Sequence, residues 1–122
     1  MNDNDFFTKF LLSIPMVIVL ALVMWMNGKF RKALYRKHAE QNDAKAQYNL
    51  GLLYRDGQGM PQDWAEAYFW LDLAAAGKLR AMLAKDAAKQ RDKASSHLTP
   101  ADLSREQERA RKWFEAHQAK PQ

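Results

Sequence analysis

The residues best suited to metal or acid–base chemistry are three histidines, and they lie far apart in the chain. His38, His97 and His117 form no H-x-x-x-H or H-E pair that would bring two ligands onto one helical face. The chain also has no cysteine, which excludes thiolate nucleophiles and cysteine-based zinc or iron–sulfur sites. The sequence therefore predicts surface histidines and no metal site.

Two further patterns superficially match catalytic motifs. Asp102 and Glu106 are four residues apart, but Arg105 and Arg109 stand beside them, which favours solvated ion pairs over a glycosidase-like carboxylate pair. A GQG segment lacks the lysine and the strand-to-helix context of a phosphate-binding loop. We therefore predict no catalytic residue, no cofactor and no small-molecule substrate.

A long uncharged run near the N-terminus predicts a membrane anchor. No charged residue occurs from Phe10 to Met26, and adding Phe6 and Phe7 extends the apolar stretch to 21 residues. At about 1.5 Å per residue it would span about 32 Å, close to a hydrocarbon core of about 30 Å. The acidic start and the long core argue against a cleaved signal peptide. We expect a single transmembrane helix within residues 1–28.

The charge after this run sets the expected direction of the helix. Residues 29–37 carry five basic residues and no acid, whereas one lysine precedes the run. The positive-inside rule then puts the N-terminus outside and the C-terminal domain in the cytoplasm, with the chain in the plasma (inner) membrane. The same five residues are expected to contact lipid headgroups: Lys29, Arg31, Lys32, Arg36 and Lys37.

Apolar periodicity and turn signals predict five helices and no sheet. The first continues from the apolar run to about residue 41, followed by helices at 44–55 and, after an Asp63 cap, at 64–77. A fourth starts near residue 79 and fades in 93–97, with four side chains facing inward: Leu79, Met82, Leu83 and Ala87. Thr99 caps a fifth, 100–118.

An internal repeat relates these helices. At an offset of 35 residues Tyr35 aligns with Trp70 and Lys45 with Arg80, a period typical of stacked helical hairpins. Residues within 39–77 follow the pattern A-x-A-Q-x-x-L-G-x-x-Y and its continuation: Ala44, Ala46, Gln47, Leu50, Gly51, Tyr54, Gly57, Gly59, Asp63, Ala67, Trp70, Ala74 and Gly77. In this pattern the segment resembles the Sel-one-like repeat family, an α/α relative of the tetratricopeptide repeat.

The matching residues have structural explanations. Small residues let two helices approach closely, the loop glycines allow backbone angles forbidden to other residues, and Tyr54 and Trp70 fill the space between paired helices. The expected architecture is all-α: a transmembrane helix (1–28), a basic juxtamembrane helix (29–41), one Sel-one-like repeat (42–77), then a degenerate repeat and C-terminal capping helices (78–122). The resemblance implies interaction and scaffolding, hence a protein partner.

The predicted function is non-enzymatic: a membrane-tethered adaptor or small accessory subunit of an inner-membrane complex. The alternative is a periplasm-facing regulator or assembly chaperone built on the same repeat. Three residues of the second helix lie opposite its inward face, Tyr48, Leu52 and Arg55, and they either bind a partner or contact the helix of residues 31–41. No nucleic-acid partner is expected, because 13 Lys and Arg face 12 Asp and Glu from Ala39 onward.

Overall fold

The computed structural model describes residues 3–58 and 60–118, apart from the side chains of 3, 4, 11–15 and 25. The regular structure in these residues consists of five α-helices: α1 (Asp3–Glu40), α2 (Ala44–Asp56), α3 (Trp64–Ala76), α4 (Ala81–Ser95) and α5 (Pro100–Gln118). The predicted all-helical class is confirmed, with the boundaries from α2 onward within about two residues of the predicted ones.

Local capping explains where α2 and α3 begin and end. A carboxylate oxygen of Asp43 accepts hydrogen bonds from the first-turn amides of α2, and Asp63 does the same for α3 at 3.0 and 3.1 Å. Gly57 ends α2 with φ +68°, a left-handed conformation that favours glycine, and its amide bonds to the carbonyl of Leu53 at 2.8 Å. These caps fix the short connection that folds α3 back against α2.

The helix α3 is the centre of the fold. It packs against α2, α4 and α5, while α1 packs against α2. Its large side chains are almost fully removed from solvent, with Trp70 and Phe69 each 1% exposed. The largest fully buried side chains of the core are Trp70, Phe69, Leu50, Leu71, Leu73 and Gln47. The positions of α2 and α4 are therefore both determined by packing on α3.

The predicted transmembrane helix is wrong. Although α1 is continuous, no helix in residues 3–58 and 60–118 is both long enough and apolar enough to cross a membrane. The predicted length required joining Phe6 and Phe7 to the apolar run across Thr8 and Lys9, because the uncharged run from Phe10 to Met26 alone has 17 residues, fewer than the roughly 20 needed. The predictions of a single-pass anchor, of its orientation and of an inner-membrane localisation depended on this helix and are wrong for the same reason.

The predicted inward orientation of Met82 is also wrong. Its side chain is 83% exposed, whereas Ala87 and Ala94 are fully buried and define the inward face of α4. At 3.6 residues per turn, Met82 lies about 140° around the helix from Ala87. It therefore points away from α3.

Candidate partner-binding surface

Two side-chain bridges connect α2 to α4 beside α3. The hydroxyl of Tyr48 donates a hydrogen bond to the carboxylate of Asp86, and Arg55 Nη1 donates to Gln90 Oε1 at 2.8 Å. We call the side chains on this side of the two helices the α2–α4 face: Tyr48, Leu52 and Arg55 from α2, and Met82, Asp86 and Gln90 from α4.

The bridge between Tyr48 and Asp86 is electrostatically stable at neutral pH. Partial burial and the hydrogen bond to Asp86 raise the pKa of Tyr48 to about 12. The hydrogen bond from Tyr48 in turn lowers the pKa of the Asp86 carboxyl. Tyr48 is therefore a neutral donor and Asp86 an ionised acceptor, and the tyrosine hydroxyl bonds to α4 and not to the helix of residues 31–41.

The rest of the face combines a second bridge with apolar surface. Arg55 bonds to both carboxylate oxygens of Asp56, at 2.8 and 2.9 Å, and to Gln90. Leu52, one helical turn from each bridging residue of α2, packs against the core but stays partly exposed. Met82 adds an apolar side chain one turn before Asp86 on α4. This arrangement suits binding by apolar contact and hydrogen bonding.

The five basic residues predicted to contact lipid are divided between two environments. Arg36 donates to the Tyr54 hydroxyl at 3.0 Å, and the Lys32 ammonium lies 5.5 Å from the centroid of the same ring. The Arg31 guanidinium lies 5.8 Å from the ring of Tyr35. The remaining two, Lys29 and Lys37, are exposed. The lipid contact predicted for this segment depended on a membrane helix, and the described residues contain no helix that could span a membrane.

The residues that define the repeat motif occupy the interior or tight approaches between helices. A Cβ added to Gly51 would lie 2.7 Å from Leu71 Cγ, and one added to Gly77 would lie 2.8 Å from Ala44 Cβ. Gly57 has the positive φ already described, and Gly59 lies outside the described residues. Five more are buried, each at most 6% exposed: Ala46, Leu50, Tyr54, Ala67 and Trp70.

The three histidines stay apart in the fold. The His97 ring stacks on Trp64 with 3.9 Å between centroids, and that of His117 stacks on Trp113 with 4.0 Å. His38 is exposed on α1. Among the residues that the structure describes, no group of three or more histidine, aspartate or glutamate side chains could hold a metal ion.

The ion pair of Glu106 with Arg109 follows the sequence prediction, but the burial of Glu106 and the contact of Arg109 with α3 were missed. Glu106 is 6% exposed and accepts from Arg109 at 3.2 Å, so it is not the solvated carboxylate that the sequence predicts. Arg109 also bonds to Glu66 of α3 at 2.6 Å and lies 3.7 Å from the centroid of Phe69. The available signal was the spacing: Glu106 lies one turn before the buried Ala110 and therefore shares its face.

A family model for the Sel1 repeat matches residues 44–78 and 94–116. Both segments are therefore similar to the Sel1 repeat. The first match covers α2 and α3, and the second begins near the end of α4 and covers most of α5. Sel1 repeats are helical scaffolds that generally have no enzymatic activity and generally mediate protein–protein interaction. No curated protein and no solved structure matches the chain.

The segment of the second Sel1 match shares local features with that of the first. The Thr99 hydroxyl accepts from the Asp102 amide at 3.1 Å at the start of α5, as Asp63 does for α3. Ala110 is 2% exposed on α5, as Ala74 is fully buried on α3. The sequence predicts a degenerate repeat and capping helices in 78–122, and the second Sel1 match falls within this range.

Proposed function

We propose that the chain is a protein-binding adaptor or accessory subunit, and that a partner binds its α2–α4 face. The observation that carries the proposal is the 83% exposure of Met82 next to the bridged pair of Tyr48 and Asp86. A single exposed apolar residue is ordinary on a protein surface, but an unbranched thioether one helical turn from the bridging Asp86 is well suited to adapt to a partner. The general role of Sel1 repeats in protein–protein interaction supports the same conclusion.

The two bridges favour binding because they order side chains in advance. Tyr and Arg are enriched among the residues that contribute most to interface affinity. Immobilising a flexible side chain on binding costs about 0.5 to 1.5 kcal/mol. Tyr48 and Arg55 are already held by Asp86 and Gln90, so part of this cost is met during folding.

Met82→Glu is the cleanest test of the proposed face. The side chain is 83% exposed, so the change in unfolding free energy is expected to stay within about 0.5 kcal/mol. If Met82 is an interface hot spot, partner affinity falls by about 2 kcal/mol, roughly 30-fold. Quantitative mass spectrometry of proteins recovered on the immobilised full chain measures the change in partner binding. Ser104→Glu, at an exposed position of α5, is the matched control. Equal recovery by both variants would contradict the proposal.

Tyr48→Ala and Arg55→Ala test the bridging residues themselves. Both substitutions also break contacts between α2 and α4, so thermal unfolding must be measured alongside partner recovery. We expect recovery to fall by more than the loss of folded protein explains. A lower melting temperature with unchanged recovery from the folded fraction would make these two residues structural and restrict the surface to its apolar part.

A further inference from the structure

A cationic cavity lies where α2 and α4 begin. Its volume is about 340 Å³, and it is lined by three basic side chains, Lys45, Lys78 and Arg80, together with Leu79 and Leu83. The three basic residues are exposed, and the two leucines are partly buried. Among the described residues, no salt bridge or side-chain hydrogen bond involves the charged groups of these three basic side chains. No carboxylate lines the cavity.

The charged residues at the start of α4 differ from those at the corresponding start of α2. The 35-residue offset that pairs Lys45 with Arg80 pairs the capping Asp43 with Lys78. Asp43 directs its carboxylate at the amides of α2, whereas α4 begins after Arg80 with no side-chain cap and no acid in its first turn. Cations near a helix N-terminus are unfavourable, and three converging cations repel one another. An anion in the cavity would relieve both effects.

The leucines specify what kind of anion fits. Small inorganic anions would neutralise the charge but leave Leu79 and Leu83 in contact with water. Nucleic acid would benefit from aromatic side chains for base stacking, and the cavity has none. A peptide carrying a carboxylate next to an apolar side chain satisfies both parts of the lining.

We infer that this cavity binds an acidic-apolar segment of a protein partner. The carboxylate contacts Lys45, Lys78 and Arg80, and the neighbouring apolar side chain packs on Leu79 and Leu83. This inference rests on the proposed function and names the chemistry of the partner. Leu83 of the cavity lining directly follows Met82 on α4, so the segment binds close to the α2–α4 face.

The test is fluorescence anisotropy with the full chain and a labelled peptide of alternating Glu and Leu. The comparison peptide replaces Glu by Gln. At about 0.15 M ionic strength, where charges are screened beyond about 8 Å, we expect the acidic peptide to bind about tenfold more tightly than its neutral counterpart. Inorganic phosphate and a single-stranded oligonucleotide serve as competitors.

The variant that tests the cavity combines three substitutions: Lys45→Gln, Lys78→Gln and Arg80→Gln. Its matched control neutralises three exposed lysines outside the cavity: Lys89→Gln, Lys93→Gln, Lys112→Gln. Both carry the same change in net charge, so a difference between them reports the position of the charges. The cavity variant should lose the preference for Glu over Gln, and the control should keep it within about twofold. Helicity by circular dichroism verifies that both are folded, and Lys78→Glu alone gives a second variant.

Three results would overturn the inference. They are an equal loss in both triple variants, displacement of the peptide by phosphate at equal concentration, and preferential binding of the oligonucleotide. The proposed function fails separately. Partner recovery that is insensitive to Met82→Glu but sensitive to the cavity variant contradicts the α2–α4 face, whereas the reverse pattern contradicts the cavity alone.

Discussion

Gly51→Ala measures how tightly α2 and α3 pack. The added Cβ would lie 2.7 Å from Leu71 Cγ, 3.0 Å from Cδ2 and 3.3 Å from the backbone nitrogen of the same residue. Ordinary van der Waals contacts between carbons lie at about 3.5 to 4.0 Å. Leu71 is fully buried and the nearest atom is its branch point, so it cannot simply rotate into solvent. The helices must therefore separate slightly.

Two opposing effects determine the magnitude. Alanine is favoured over glycine inside a helix by about 1 kcal/mol. Overpacking a buried contact costs about 1 to 3 kcal/mol. We therefore expect Gly51→Ala to lower the unfolding free energy by up to about 2 kcal/mol, and Gly51→Leu to lower it by more.

Urea denaturation of the full chain, followed by circular dichroism, is the assay. Lys45→Ala at an exposed position of the same helix is the control and should change stability by less than about 0.5 kcal/mol. In a Leu71→Ala background the closest contact is removed, so Gly51→Ala should become neutral or stabilising. A gain of about 1 kcal/mol for Gly51→Ala in the parent chain, as expected at an unobstructed helical site, would refute the reasoning.

Three further predictions concern the caps and the bridge. Asp63→Ala should cost about 1 kcal/mol in urea denaturation, since it removes the acceptor for two amides of α3, and no loss would contradict the cap. Gly57→Ala should lower the melting temperature through about 1 to 2 kcal/mol of left-handed strain, and an unchanged melting temperature would argue against that conformation. The pKa of Tyr48 rises from about 10 unfolded to about 12 folded, so its contribution to stability is complete below pH 10 and is lost as the pH approaches 12. Tyr48→Phe should flatten that alkaline loss in unfolding free energy, and an equally steep loss would contradict the bridge to Asp86.

Features encoded by neighbouring residues could be predicted from the sequence. Asp63 before α3 and Thr99 before α5 are local signals, because a cap acts on amides two or three residues away. The inward face of α2 follows from the spacing of its apolar residues, and Leu50 and Leu53 are indeed buried. Short-range physics therefore determines most of the helix boundaries and one packing face.

Contacts between distant residues could not be predicted in the same way. Tyr48 and Asp86 are brought together by the packing of α2 and α4 on α3, and no spacing along either helix contains that information. The orientation of Met82 depended on which face of α4 meets α3, and that packing joins residues that are distant in the sequence. The predicted membrane helix depended on a 21-residue stretch that reaches this length only by including the polar residues Thr8 and Lys9.

The most direct test of the central claim is site-specific photo-crosslinking from Met82. A photoreactive amino acid at this 83% exposed position of the full chain lies on the α2–α4 face, and the same amino acid at Ser104 on α5 is the matched control. Binding through the α2–α4 face predicts discrete adducts with another protein from position 82 that are absent from position 104. An absence of adducts from position 82, or the same adducts from both positions, would contradict it.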